Sequence, residues 1–371
     1  MSKAAELAKM GEVLTNNQIG GRRNMIINGA MQVAQRGTTI TGIGATSGVY
    51  SLDRYRFNVN GSGRATVTQS SVTPSGFANS LKIDVTTAVS SLSAGNFFSV
   101  VQKFEGQDLQ MLDKGTSDAR TMTLSFYVKS NITGTYIIEL FDFDNTRTIS
   151  KSYTINSADT WEQKIILIDA DTTGTLDDDN DASLQVTWWL AAGTTYSSGT
   201  LNTSWASNTN ANRAVGQVNL LSSTDNEFLL TGVQLEVGST ATPFEHRSFG
   251  EEEALCMRYY QRVIDGSLSI TNNAAQTMVN MAAYSASSVF GVMPLTVRMR
   301  DQPTIDITTG TSYYTFLRNG TNDPFNEFSF VRSQNDRVEV YVSSGLSHTV
   351  GHAGWIRSNS ASAYIAADSE L

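Results

Sequence analysis

Two adjacent tryptophans, Trp188 and Trp189, are the first residues in this chain whose types and spacing suggest chemistry. A flat exposed ring can stack on the apolar face of a pyranose, while nearby Asn, Asp, Gln or Arg side chains bind its hydroxyls. Strand parity separates the pair: Trp188 runs with Leu184, Val186 and Leu190 and belongs to a core, whereas Trp189 runs with Gln185 and Thr187 and is expected to face outward. Tyr196 and Trp205 follow in a stretch rich in Gly, Ser, Thr and Asn. Further on, Tyr313, Tyr314 and Phe316 lie after a Thr-Gly-Thr turn, and His348, His352 and Trp355 lie in another Gly- and Ser-rich stretch. Trp189, Tyr196, Trp205, Tyr313, Tyr314 and Trp355 are therefore the candidates for carbohydrate or receptor contact. The competing expectation for the same rings is packing under a long loop or between subunits.

The acidic run DADTTGTLDDDND (169–181) raises a second chemistry, since hard cations collect clustered oxygens. Asp169, Asp171, Thr173 and Gly174 match the opening of an EF-hand, but its twelfth position is Asn180 and no helices flank it. A solvated acidic loop is the default expectation, with Asp169, Asp171, Asp179 and Asp181 as weak ligands for a structural calcium; no other cofactor is expected. Catalytic signatures are thin. G-x-S-x-G, Walker A and H-E-x-x-H motifs are absent. Gly351 and Gly354 argue against a helix aligning His348 with His352 as zinc ligands, and Asp142 with Asp144 is a weak carboxylate pair. The expectation is a protein that is not an enzyme.

The elements that must carry these residues read as β. Charged residues make up 16% of 371 and the net charge is -9, a balance that argues against a phosphate backbone as partner. No continuous apolar run is long enough to span a membrane, and MSKAAELAKM lacks the features of a signal peptide. The single cysteine, Cys256, leaves no intrachain disulfide framework and reads as a small buried hydrophobe. Residues 4–14 allow about three helical turns. From residue 24 to 244, short strands alternate with Gly, Asn, Asp and Ser turns, the pattern of an all-β jelly-roll sandwich. Leu124, Phe126 and Val128 mark one buried face, and Tyr136–Phe143 reads as a strand covered on both sides apart from Glu139. Strands resume after residue 263, with Pro294 expected at an edge or bulge. Phe328 and Phe330, the turn 333–336, then Val338, Val340 and Val342 predict a hairpin.

Between the two β regions, Val233, Leu235 and Val237 end a strand, and Ser248 with Glu251 forms a capping box that starts a helix. Glu251–Glu253 in its first turn and Arg258 and Arg262 in its last complement the helix dipole. The predicted organisation is an N-terminal segment (1–23), a jelly-roll β-sandwich (24–247), a linking helix (248–263) and a smaller β-sandwich tip (264–371).

The run TGVQLEVGSTATPFEHRSFGEEEALCMRYYQR (231–262) resembles one found in tail-fibre and receptor-binding proteins of tailed phages, particularly the marine and cyanobacterial type. GRRNMIINGAMQVAQRG (21–37), SLDRYRF (51–57), TLSFYVKSN (123–131), TWEQK (160–164), FGVMPLTVRMRDQPT (290–304) and YIAADSEL (364–371) resemble segments of the same family in the same order. The resemblance implies a carbohydrate-binding-like jelly roll with a small tip domain, a homotrimer, and attachment of the virion to a host surface glycan or other receptor. It also implies that segment 1–23 docks to other virion tail proteins, and that the chain is made in the host cytoplasm and ends in the tail fibre. Leu255, Tyr259 and Arg262 on the linking helix are the expected oligomer-interface residues. A structural virion role, in head decoration or as a tail adaptor, is the alternative. Neither reading involves nucleic acid or membrane insertion.

Overall fold

The computed structural model describes residues 23–266 and 277–371, together with Lys3. The expected N-terminal helix (4–14) and most of the attachment segment lie outside the described residues. The chain divides into two compact units, Met1–Glu252 with Leu371 and Glu253–Glu370. Among the described residues, no helix is long and apolar enough to cross a membrane.

The first unit contains β1 (Thr39–Ile43), β2 (Val49–Tyr50), β3 (Arg56–Asn60), β4 (Arg64–Ser70), β5 (Ser80–Thr87), β6 (Phe97–Glu105), β7 (Met122–Ser130), β8 (Gly134–Asp142), β9 (Arg147–Ile155), β10 (Glu162–Ile168), β11 (Ala182–Ala192), β12 (Ala206–Ser207) and β13 (Glu227–Val237). They form two antiparallel sheets, β1-β4-β5-β13-β7-β10 and β12-β9-β8-β11-β6-β3-β2. Between them lies one core in which Leu124, Phe126 and Val128 of β7 meet Trp188 of β11 and Leu140 of β8. This is the all-β jelly-roll sandwich that the strand alternation predicts. Tyr136 to Leu140 are all fully buried, as expected for a strand covered on both faces.

Polar side chains near the start of the chain do backbone work. Asn24 accepts from the Ile26 and Leu235 amides at 3.0 Å each and donates to the Val233 carbonyl at 3.0 Å, extending the ladder beside β13. Asn28 bridges Val33 and the Asp53 carbonyl, and the Asp53 carboxylate takes the Gln35 amide at 2.7 Å. Residues 28–35 and Asp53 are thus partners in one network. At the bulge of β13, Gly232 has φ +60 and a Cβ there would lie 2.6 Å from Phe77, so glycine is required. Phe77 packs with Phe244 and His246, which makes His246 part of an aromatic cluster.

The turn between β9 and β10 is closed by Glu162, whose carboxylate accepts from the Asn156 amide at 2.8 Å, the Ser157 amide at 2.9 Å and Lys164 Nζ at 2.5 Å. Partial burial pushes this carboxyl up, but Lys164 and the Ser157 and Asn156 donors outweigh it and hold it at about 2. A depressed carboxyl stabilises the fold above its ordinary value of 4.5, and that contribution is lost as pH falls toward about 2. Glu162→Gln should therefore be less stable than the native chain at neutral pH. In urea titrations across this window the gap should close on acidification, and a pH-independent gap would contradict the assignment.

The second unit contains β14 (Tyr260–Asp265), β15 (Thr277–Ala283), β16 (Val289–Pro294), β17 (Thr304–Ile307), β18 (Tyr314–Arg318), β19 (Thr321–Phe325), β20 (Ser329–Gln334), β21 (Arg337–Val342), β22 (Ala353–Ser358) and β23 (Tyr364–Asp368). A three-stranded sheet, β14-β23-β17, and a seven-stranded sheet, β19-β18-β22-β15-β16-β21-β20, share a core of Ile264, Met293, Phe316, Val340, Ile356 and Ile365 with their neighbours. β20 and β21 form the predicted hairpin, closing at Gln334 opposite Arg337. Pro294 is the last residue of β16, which lies between β15 and β21; proline ends a central strand here instead of marking an edge.

The linking helix is shorter than the 248–263 expected. The capping box forms, with Glu251 N donating to Ser248 Oγ at 3.4 Å and Ser248 N donating to the Glu251 carboxylate at 3.0 Å, but the helix spans only Phe249–Met257. Tyr260 pairs with Asp368 and Arg262 with Ala366, so tyrosines and β-branched residues expected in the last helical turn enter a ladder instead. Tyr259 is buried, Arg262 binds Asp265 at 3.0 Å and lies over the Tyr364 ring, and Leu255 is half-buried. Arg262 therefore is not a helix-terminal cation. Cys256 is fully buried, as expected.

Candidate functional site

The outer face of the seven-stranded sheet in the first unit carries a cleft of about 290 Å³. Register builds it in cross-strand rows. Asn58 of β3 lies opposite Ser99 of β6, and Ser99 opposite Trp189 of β11; Lys103 lies opposite Gln185, and Gln185 opposite Phe141 of β8. Because alternate strand residues share a face, these side chains stand together on the side away from the sandwich core. The chain between β11 and β13 then folds back over this face, beginning with the short helix α1 (Thr194–Ser197) and bringing Tyr196 and Arg213 over the sheet.

That return segment corrects the expectation for Trp189. Its parity is as predicted, but the ring is only 2% exposed, packed with Phe97 at 6.0 Å, Tyr196 at 5.4 Å and a small cluster containing Ile137 and Ala214. Trp189 forms the floor of the cleft. Tyr196, Phe97 and Phe141 are half-buried and Phe143 is exposed, so these rings present the accessible aromatic surface.

A buried ion pair holds the floor in place. Glu139 is fully buried beneath Arg213, which donates to it through Nε at 2.6 Å and Nη2 at 3.0 Å, while Trp189 Nε1 donates at 2.9 Å. Burial pushes the Glu139 carboxyl up, and Arg213 and the indole N–H pull it only part of the way back. The Arg213 guanidinium lies 5.3 Å from the Phe141 and Trp189 ring centroids and 5.9 Å from that of Tyr196. Its charge is spent on Glu139, leaving a planar surface. Around it, Gln185 donates to Thr187 Oγ1 at 2.8 Å, and among the described residues neither the Asn58 amide nor the Tyr196 hydroxyl has a hydrogen-bond partner. Among the described residues the lining contains no carboxylate, histidine or cysteine. This set can stack a flat apolar face and exchange hydrogen bonds with hydroxyls.

The other sequence candidates are elsewhere. Trp205 packs partly against the core, donates to the Asp169 carbonyl at 2.8 Å and lies under Lys114 at 5.3 Å. Tyr314 is fully buried between Phe325 and Phe328 and donates to the Thr308 carbonyl at 2.9 Å, which corrects its expected exposure. Tyr313 is half-buried at the edge of the same core, whereas Trp355 is widely exposed. His348 Nε2 lies 2.9 Å from the Ser285 carbonyl. Sequence pattern alone does not mark Arg213, Phe97, Phe141, Phe143 and Asn58 as site residues; the signal it offers is Glu139, an acid in the middle of the apolar run 136–141 of β8.

The acidic loop has an occupant of its own. Lys114 Nζ lies 2.5 Å from Asp142 Oδ2, 3.1 Å from Asp171 Oδ2, 3.1 Å from the Thr173 carbonyl and 2.9 Å from that of Gly174. Asp171 also takes a two-pronged bond from Arg147 at 2.8 and 2.9 Å, and Asp169 binds Lys151 at 2.7 Å. Asp179 accepts from the Asp181 amide at 2.9 Å. No cluster of carboxylate, histidine or cysteine side chains suited to a metal ion occurs among the described residues. Asp142 and Asp144 are also separated in role: the first is buried against Lys114, while the second accepts from the Asp177 amide at 2.9 Å.

No protein-family model and no curated protein matches this chain. Among solved structures, the enzymatically active domain of tailspike protein 4 of bacteriophage CBA120 is similar at 10% identity and a TM-score of 0.30, over 58% of this chain and 21% of that one. The chain thus spans about a fifth of that domain. A CBM4 module is similar at 12% identity and a TM-score of 0.28, over 57% of this chain and 98% of the module. A family 11 carbohydrate-binding module from Clostridium thermocellum gives 12% identity and a TM-score of 0.28, over 56% of this chain and 99% of the module.

Proposed function

We propose that this chain is a non-catalytic, glycan-binding component of a phage tail fibre or spike, which attaches the virion to a host cell-surface glycan. The observation that carries the reading is the cleft of the first unit, where half-buried rings and an arginine neutralised by Glu139 are bordered by uncharged amides and hydroxyls. Its internal charge balance suits an uncharged sugar chain, and a lining without paired carboxylates suits binding without hydrolysis. The phage assignment is supported by the ordered resemblance of segments 21–37, 51–57, 231–262 and 364–371 to tail-fibre proteins. In that setting the chain is a homotrimer, made in the host cytoplasm and joined to other tail proteins through segment 1–23. Three copies would multiply weak single-site contacts through effective concentration.

Ile165 and Leu167, exposed on edge strand β10, favour a second reading in which the chain is a structural virion protein joined to neighbours through that edge. The two readings differ at Tyr196. Truncating an aromatic anchor typically costs about 2 kcal/mol or more of binding, which corresponds to roughly 30-fold in affinity. Tyr196→Ala should weaken binding to an array-identified glycan by that order, measured by titration calorimetry at a temperature below the variant's own melting transition. Undiminished binding would remove the cleft from consideration, and absence of any glycan bound by the native protein would favour the structural reading.

A further inference from the structure

The second unit has its own cleft, of about 830 Å³, on the outer face of its seven-stranded sheet. Register lays one row across it: Asn322 of β19 opposite Leu317 of β18, Leu317 opposite Trp355 of β22, and Trp355 opposite Asn280 of β15. The residues next in sequence, Phe316, Ile356 and Val279, point the other way into the core, so the row is held on a packed base. Trp355 is 59% exposed at the centre, and Asn280 and Asn322 are exposed on either side. Among the described residues, the Trp355 indole N–H and the Asn280, Asn319 and Asn322 amides have no hydrogen-bond partner.

Charge is absent in effect here too. Arg318, the only charged residue of the lining among the described residues, is buried and bound to Asp323 at 2.9 Å, and Asp323 also accepts from the Ser347 amide at 2.7 Å. A broad ring with Asn280 beside it and Asn322 beyond Leu317 offers a stacking surface with donors and acceptors towards both ends of the row, the requirements of a sugar ring bearing equatorial hydroxyls. Phe290 adds a second, half-buried ring to the same lining, and a partner protein surface would be met better by a continuous apolar patch than by two rings set among unpartnered amides.

We infer that this cleft is a second glycan-binding site, which takes a short stretch of an uncharged sugar chain on Trp355 and is independent of the cleft in the first unit. Each chain then carries two sites of different lining.

The test uses the full chain on an array of neutral tetraoses built from glucose, galactose, mannose and N-acetylglucosamine, with Trp355→Ala, the Asn280→Ala/Asn322→Ala pair and Tyr196→Ala compared. Loss of an exposed Trp anchor should weaken at least one set of signals by about tenfold or more. The asparagine pair should weaken the same set with the ring intact, and Tyr196→Ala should leave that set unchanged. Native binding by Trp355→Ala and by the asparagine pair, or no tetraose bound by the native chain, overturns the proposal. It is also overturned if Trp355→Ala changes the sedimentation behaviour without changing the array, since the cleft is then a contact between copies. Loss of signal in Tyr196→Ala alone supports the first cleft and overturns the second; loss in Trp355→Ala alone does the reverse.

Discussion

Lys114→Ala is expected to destabilise the first unit by about 3–5 kcal/mol, the usual cost of removing one partner from a buried ion pair. The ammonium is 5% exposed, and its two carboxylate partners, Asp142 and Asp171, are 0% and 4% exposed. Truncation leaves Asp142 facing only the Asn145 donors, strands the Thr173 and Gly174 carbonyls, and opens space beside Trp205. Asp171 keeps Arg147, so the loss concentrates on Asp142. Urea denaturation followed by tryptophan fluorescence reads the effect directly. Replacing Lys114 with Met and Asp142 with Asn together should recover part of the loss, because removing both charges removes the unpaired one. A decrease below about 1 kcal/mol in Lys114→Ala, the range of exposed pairs, would show that the network is wetter than its burial implies.

Arg213→Ala should be comparably damaging at neutral pH, also about 3–5 kcal/mol, and should abolish glycan binding in the first cleft. The residue holds Glu139 by two hydrogen bonds and covers three rings, so its removal uncovers a fully buried carboxylate and loosens the floor at once. The pH dependence identifies the cause. Burial already raises the Glu139 carboxyl despite Arg213, so its contribution to stability is fullest below the ordinary carboxylate range and is lost as pH rises through the raised value. Without Arg213 the upward shift grows. The deficit of the variant should therefore be largest at neutral pH and shrink as Glu139 is protonated on acidification. A deficit that is constant with pH would assign the loss to packing of the guanidinium over the rings.

Much of the sandwich was legible because its signals are local. Leu124, Phe126 and Val128 follow the pleat, Trp188 takes its parity from Leu184, Val186 and Leu190, and the hairpin of β20 and β21 closes at a two-residue turn. Ser248 and Glu251 mark a helix start for the same reason: the partners are three residues apart. What escaped depends on partners distant in the chain. No local pattern says that Tyr260 will find Asp368, and that pairing cuts the helix at Met257. Trp189 was placed on the correct face, but burial on that face is decided by the return of Tyr196 and Arg213 over it. The acidic run displays its charge in sequence, whereas Lys114, which pairs with Asp171 of that run, precedes it by four strands.

The lysine at the centre of that loop also changes what its surroundings can do to it. A site filled by a free ion contributes to stability in proportion to the logarithm of the ion's activity, and so empties by mass action wherever the medium is dilute. Lys114 reaches the Asp142 and Asp171 oxygens on a covalent tether. Its occupancy is set by the fold and cannot be diluted, so the strand end and loop it joins do not lose this partner by mass action.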